Sequence, residues 1–254
     1  MATSTIEVID RLVKPTQQFT RGWMLVESTA KHGEALGFAS GRHYWVVGRA
    51  GVLGECTAET AIAALGFHGP DLIRTAWADV PDGMTHYDTS LSYAQRAIEW
   101  GERELTVFDP DRLERLDGYT RRIIDAAPTS LGAIFAGWRA LPTPDSVGGR
   151  VGLTTQVFRE MRGAAHLIAV ISVGLTPLDA ILASTNAPPR TGPGYAEQMG
   201  FTGPFRDPEE VRARRLDAER ITSRILEPFY DVLDADELAD FAELFESTRN
   251  AIDM

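Results

Sequence analysis

The residues of this chain best suited to chemistry stand close together, in the segment from Arg159 to His166. With about 3.6 residues per helical turn, Arg159, Arg162 and His166 fall on one face of a helix. The planar guanidinium of arginine suits bidentate recognition of anions, and histidine transfers protons near neutral pH. The segment therefore predicts that the two arginines bind a small organic anion. It also makes His166 and Glu160 candidate catalytic residues for proton transfer.

The helix that carries these residues is expected to be buried towards its carboxyl end. Val170 and Val173 continue the face of the two arginines and His166, and a helix that is apolar all round is usually buried. The three polar residues are therefore expected at the mouth of a covered space, and the nearby arginines should keep His166 neutral. No carboxylate shares their face, because Glu160 points about a quarter-turn away, so the expected partners are acids from other segments or an anionic ligand. The predicted core face consists of Val157, Met161, Ala164, Ile168 and Ile171.

A second group of candidate ligand-binding residues surrounds Arg49. This arginine stands in an apolar segment, which predicts a buried guanidinium paired with a carboxylate or a ligand. His43 and Trp45 belong to the same segment and are expected to face the same space. A structural alternative applies to the whole set, namely a network of ion pairs and hydrogen bonds across the protein. His68 is expected to cap the helix that starts at Pro70.

No motif in the sequence identifies a cofactor or a metal site. The spacings of histidine and cysteine that typically bind zinc do not occur, and neither does a dinucleotide-binding or P-loop glycine pattern. The cofactor is therefore unknown at this point, and no metal is expected.

Composition disfavours nucleic-acid and membrane partners. The chain has 254 residues and a formal net charge of −11, whereas duplex binding depends largely on neutralising phosphates with lysine and arginine. No apolar run approaches the roughly 18 residues that a membrane span needs, and the amino terminus lacks the features of a signal peptide. Together with a single cysteine, Cys56, these features predict a cytoplasmic protein. The five tryptophans and eleven phenylalanines suit either a core or a homodimer interface.

Cap and turn signals predict a mostly α-helical fold with a few short strands. Residues 78–90 are expected to form a turn and a small β-ribbon, and a long helix is expected at about 153–173. The Pro- and Gly-rich residues 142–152 predict a linker between a first lobe, 1–141, and a second lobe, 153–254. The order of elements repeats in the two lobes, which indicates a pseudo-repeat of two winged-helix-like units.

Three stretches of the chain resemble an actinobacterial helix-turn-helix-like family. They are YWVVGRAGVLG at 44–54, GFHGPDLI at 66–73 and REMRGAAH at 159–166. Members of this family are often labelled SalK-like or compared with the MarR regulators. The resemblance covers nearly the whole chain and implies two MarR-like lobes in one mostly helical polypeptide, but no settled activity. Met161, Ala164 and Ala165 depart from the family pattern, which has a histidine, an acid and a glycine there.

Three functions from different classes fit these observations. The first is a winged-helix-derived protein that binds a small anionic organic ligand in a pocket between its lobes. The second is an enzyme that acts on such a ligand, with His166 as acid or base and Arg159 and Arg162 as anion stabilisers. The third is a MarR-like DNA-binding regulator. The expected recognition helices, near 70–77 and 195–199, carry few basic groups, which makes nucleic acid the least favoured partner.

Overall fold

The computed structural model describes residues 4–186 and 189–252, and in these residues the protein is mostly α-helical, as the sequence predicts. No helix in the described ranges is long and apolar enough to cross a membrane. Short 3-10 helices cover 51–53, 105–107, 129–131 and 208–211. The α-helices are α1 (Thr5–Met24), α2 (Glu27–Leu36), α3 (Gly41–Ala50), α4 (Ala58–Leu65), α5 (Pro70–Trp77), α6 (His86–Glu104), α7 (Pro110–Ala126), α8 (Ala133–Arg139), α9 (Val147–Ser172), α10 (Pro177–Leu182), α11 (Gly192–Gln198), α12 (Arg212–Tyr230) and α13 (Ala235–Asn250).

The short strands expected from the sequence do not occur in the described residues. In place of a ribbon at 78–90, the chain makes a turn near Pro81 and enters α6 at His86. The Thr85 hydroxyl accepts the backbone N–H of Asp88, and the Asp88 carboxylate accepts the backbone N–H of Thr85. This capping box satisfies two N–H groups at the helix start, so it fixes the beginning of a helix where a strand was expected.

Helix α9 is the central element of the fold and begins earlier than the sequence predicts. It starts at Val147, because the Ser146 hydroxyl caps it by accepting the backbone N–H of Gly149. Residues 147–152 of the expected linker are therefore helical. Their glycines allow close packing against α6, since a Cβ on Gly152 would lie 2.3 Å from the carbonyl oxygen of Ala97. Glycines that permit close packing look like linker glycines in a sequence, which explains the difference.

The main apolar core takes residues from both halves of the chain. The ring of Phe19 on α1 packs against Trp100 on α6 at 5.6 Å and against Phe245 on α13 at 5.4 Å between centroids. Phe158 on α9 completes this group at 5.8 Å from Phe245. All five tryptophans are buried, so their side chains serve the core and are not available for an interface between copies.

The two halves of α9 bury different faces. Val157 and Met161 are buried as expected, but Ile168 and Ile171 are 44% and 60% exposed. Helices α6, α7, α10 and α12 all pack against α9. Helices α6 and α7 contact its amino-terminal half at Gly152 and Thr154, and α12 contacts its carboxyl-terminal half at His166. His166 is consequently buried. The predicted core stripe is therefore wrong at Ile168 and Ile171, whereas Ala164 packs against the core as expected. The face that carries His166 points inwards there.

The α6–α9 contact gives a direct test of this packing. Gly152→Ala is expected to lower the free energy of unfolding by about 1–3 kcal/mol, because the new methyl group meets backbone that cannot move freely. Gly118→Ala on α7 is the matched control, since nothing lies within 4 Å of a Cβ there. The control is expected to stabilise the protein by about 0.5–1 kcal/mol through helix propensity. Equal stability of the two variants in urea titrations would contradict the close contact.

Candidate functional site

A cavity of about 570 Å³ lies among helices α1, α3, α9, α11 and α12. Seven arginines line it, and Glu160 is the one carboxylate among its described lining residues. This arginine-lined cavity concentrates positive charge in a chain whose net charge is −11. Apolar side chains complete the wall, including Leu65, Phe67, Tyr195 and Met199. The arginines are Arg21, Arg42, Arg49, Arg159, Arg162, Arg190 and Arg215.

The carboxylate of Glu160 accepts four hydrogen bonds. Arg49 donates two of them across helices α3 and α9, from Nε to Oε1 and from Nη2 to Oε2, both at 2.9 Å. Gln156 Nε2 donates at 2.6 Å and Arg159 Nη1 at 3.1 Å, both to Oε1. Burial by itself would raise the pKa of Glu160, but Arg49 and Arg159 outweigh it and hold that pKa below its usual value. Of the two partners predicted for a buried Arg49, a carboxylate or a ligand, the structure shows the carboxylate.

A second carboxylate, Glu219 on α12, also serves two arginines. Arg162 Nη2 lies 2.6 Å from Oε2, and Arg215 Nη1 lies 2.7 Å from Oε1. Burial would raise the pKa of Glu219, yet the two guanidinium groups lower it to about 2. In both clusters, therefore, one carboxylate pairs with two guanidinium groups. Each cluster retains a surplus of one positive charge.

Among the described residues, Arg159 has no carboxylate to itself. It shares Glu160 with Arg49, and both burial and the charge of Arg49 lower its pKa. Even so, 27% of its side chain remains accessible, and the residue lines the cavity. The side chain of Arg159 is therefore accessible and borders the cavity.

His166 is neutral and belongs to the same cavity. Its Nδ1 lies 2.8 Å from the hydroxyl oxygen of Thr222, and its ring stacks on Phe67 at 5.5 Å between centroids. Burial, followed by the charges of Arg215 and Arg162, lowers the pKa of His166 to about 3, although Glu219 opposes the shift. The expectation of a neutral imidazole is confirmed. The site therefore offers an uncharged ring between arginines at neutral pH.

His68 occupies a different place from the one predicted. It does not cap α5, whose first residue follows Gly69 without a side-chain cap. Instead its buried ring lies edge-on to Trp45 at 4.8 Å and lines the cavity. Burial, and then the charge of Arg49, lowers the pKa of His68 well below its usual value. Neither His68 Nδ1 nor Trp45 Nε1 has a hydrogen-bond partner in the described residues.

The structure brings together most of the predicted site residues. Arg49, Trp45, Arg159, Arg162 and His166 all line the cavity, together with Glu160. His43 does not belong to this lining, because its Nδ1 pairs with the Asp79 carboxylate at 2.7 Å.

Sequence reasoning missed Arg215, because α12 alternates basic and acidic residues and resembles a solvated helix face. That description does hold for Arg212 and Arg220, which pair with acids three residues away. Arg215 is buried on the other side of the helix. Within the described residues, no group of three or more metal-binding side chains occurs.

Comparison with protein families gives one match over nearly the whole chain. A family model described as a helix-turn-helix family matches residues 10–253. The search of curated proteins finds no match, and the search of solved structures also finds none.

The Glu160 cluster predicts a large loss of stability when its charge is removed. Glu160→Gln keeps the shape of the side chain but leaves Arg49 and Arg159 without a counter-charge. We expect the free energy of unfolding to fall by about 3–5 kcal/mol in urea titration. Glu59→Gln is the control, because Glu59 pairs with Arg74 at the exposed surface and should matter little. A Glu160→Gln protein as stable as the control variant would contradict the role assigned to this carboxylate.

Neutral His166 also predicts how stability depends on pH. The unfolded chain takes up a proton at this residue below about pH 6.5, whereas the folded protein does so only near pH 3. Stability is therefore fully present above pH 6.5 and falls as the pH decreases through this window. Between pH 7 and pH 5, His166 should account for a loss of about 2 kcal/mol.

His166→Gln is expected to remove that part of the pH dependence. The difference in the free energy of unfolding between the two proteins at pH 7.5 measures the packing cost of the substitution. This cost cancels when the slopes of the free energy of unfolding against pH are compared. Unfolding of ligand-free protein at several pH values provides the measurement. Parallel pH profiles for wild type and variant would contradict the lowered pKa of His166, because they require the same pKa in the folded and the unfolded chain.

Proposed function

We propose that this chain, which belongs to a helix-turn-helix family over residues 10–253, binds a small organic anion in its arginine-lined cavity. The observation that carries the proposal is the charge of the wall, with seven arginines and one carboxylate among the described lining residues. Where buried cations only stabilise a fold, an equal number of acids usually neutralises them, since an uncompensated buried charge is costly.

The shortage of acids is specific to the cavity. Glu160 and Glu219 each serve two arginines, so each cluster keeps one positive charge that the protein does not neutralise. Arg42 also lines the cavity, and no carboxylate contributes to its pKa, which burial lowers. An anionic group bound between these arginines would supply the missing charge. The guanidinium fork matches the two oxygens of a carboxylate or phosphate.

The rest of the wall favours an organic molecule over a small inorganic ion. The volume of about 570 Å³ falls within the roughly 300–1,000 Å³ typical of pockets for organic ligands. Trp45, Phe67 and Tyr195 offer aromatic surface to the apolar part of such a molecule. We therefore assign a ligand with one acidic end and one apolar or aromatic end.

The alternative of an enzyme acting on this ligand depends on His166. Glu160 is a weak candidate for acid–base catalysis, because four donors already occupy its carboxylate. His166 has one ring nitrogen bonded to Thr222 and no described partner for the other. His166 is therefore the residue on which a reaction would have to depend.

The alternative of a DNA-binding regulator draws support from the family, although a fold alone does not specify function. The local contacts do not favour it. On α5, the first expected recognition helix, Arg74 pairs with Glu59 and Asp71. On α11, the second, Tyr195 and Gln198 line the cavity. Arg74 is therefore already paired with acids at the surface, whereas Tyr195 and Gln198 line the cavity.

The two-lobe architecture is part of the same proposal. Thr57 caps α4 and Thr176 caps α10, and each cap follows a glycine in the left-handed region, Gly54 and Gly174 respectively. This echo supports two related winged-helix-like units, 1–141 and 153–254, of the kind that the SalK-like and MarR-like resemblance implies. Their shared cavity would then be the ligand site, at the junction where both units contribute arginines.

Binding of a simple aromatic acid tests the proposal. Phenylpropionate is expected to bind and to quench the fluorescence of Trp45, whereas its neutral amide, phenylpropionamide, should bind much more weakly. Arg159→Gln should weaken phenylpropionate binding by about tenfold or more, the usual effect of losing a hydrogen bond to a charged group. Arg103→Gln, on the exposed side of α6, is the matched control and should leave binding unchanged. Equal binding of acid and amide would contradict an anion site.

A further inference from the structure

The hydroxyl of Thr222 determines which nitrogen of His166 carries the proton. Its Oγ1 lies 2.7 Å from the carbonyl oxygen of Ala218 and 2.8 Å from His166 Nδ1. A threonine hydroxyl has one hydrogen, and a carbonyl oxygen can only accept. That hydrogen therefore goes to Ala218, and Nδ1 must donate its own hydrogen to Oγ1. A neutral imidazole with a hydrogen on Nδ1 has a free lone pair on Nε2.

Nothing in the described part of the protein donates to that lone pair. The one described hydrogen bond of His166 is the bond to Thr222, and the residue lines the arginine-lined cavity. The charges of Arg162 and Arg215 act on His166, and both arginines are paired with Glu219. Burial and these two arginines also keep the ring unprotonated. Nε2 of His166 is therefore a hydrogen-bond acceptor in a cavity whose arginines are hydrogen-bond donors.

The position of His166 specifies where a matching donor must lie. Arg162 and His166 are four residues apart on α9, so their Cβ atoms are about 5–6 Å apart on one helix face. A ligand whose acidic group contacts Arg162 or Arg159 would place its neighbouring atoms beside His166. An ammonium group is a poor donor here, because the surplus positive charge of the arginines would repel it. A hydroxyl group donates without charge.

We propose that the bound anion is a hydroxy acid, with its hydroxyl group next to the acidic group, and that His166 Nε2 accepts the hydrogen bond from this hydroxyl. This inference rests on the proposed function and makes it more specific. His166 would thus select among organic acids, while the arginines supply the attraction common to all of them.

A matched pair of acids tests the selection. Phenyllactate and phenylpropionate differ by one hydroxyl group beside the carboxylate. Isothermal titration of the wild-type protein is expected to show three- to tenfold tighter binding of phenyllactate, the usual effect of one hydrogen bond. His166→Asn should abolish this preference, so that the variant binds the two acids with equal affinity, because asparagine does not reach the position of Nε2. His166→Gln should retain part of the preference, since its longer amide brings an acceptor to that position.

Nitrogen-15 NMR of the His166 ring gives an independent readout without any ligand. The inference predicts a neutral ring with its hydrogen on Nδ1, and a shift of the Nε2 resonance when phenyllactate binds. A hydrogen on Nε2, or equal wild-type affinities for the two acids, would overturn the inference and leave the anion site intact. Failure of both acids to bind would overturn the proposed function itself, and the inference with it.

Discussion

The buried ion pair between Arg49 and Glu160 is the interaction on which both the fold and the site depend. It joins α3 to α9 through two hydrogen bonds of 2.9 Å, and Trp138 on α8 donates to the main-chain oxygen of Arg49. A buried carboxylate is tolerable only when its oxygens are well bonded, and Glu160 meets this condition with four donors. The same carboxylate holds Arg159 at the wall of the cavity. Because one group serves both purposes, the packing of α9 and the chemistry of the site cannot be separated.

The distribution of charge around this pair explains why the cavity suits an anion. Each of the two acids serves two arginines, so the folded protein retains buried positive charge that it does not neutralise. Such charge lowers stability unless something compensates it. Natural proteins often keep unfavourable interactions of this kind where a ligand will relieve them. Burial, together with the neighbouring cations, lowers the pKa of Arg159 and keeps the ring of His166 neutral.

The sequence predicted which residues lie close together better than it predicted which face of each helix is buried. The grouping of Arg159, Arg162 and His166, and the pairing of Arg49 with an acid, followed from helical spacing and from a cation in an apolar segment. Periodicity could not show that α9 changes partners along its length, so Ile168 and Ile171 were expected in the core but are exposed. Arg215 and His68 reach the site only through tertiary packing of α12 and the loop before α5, for which no local pattern exists.

The central claim is that the surplus positive charge of the cavity is there for an organic anion. Native mass spectrometry of the purified protein tests it most directly, with collisional release of any bound molecule. We expect the wild-type protein to carry an additional mass that is released as an organic acid, and Arg159→Gln to carry much less of it. Release of a molecule without an acidic group, or equal occupancy in the variant, would contradict the account.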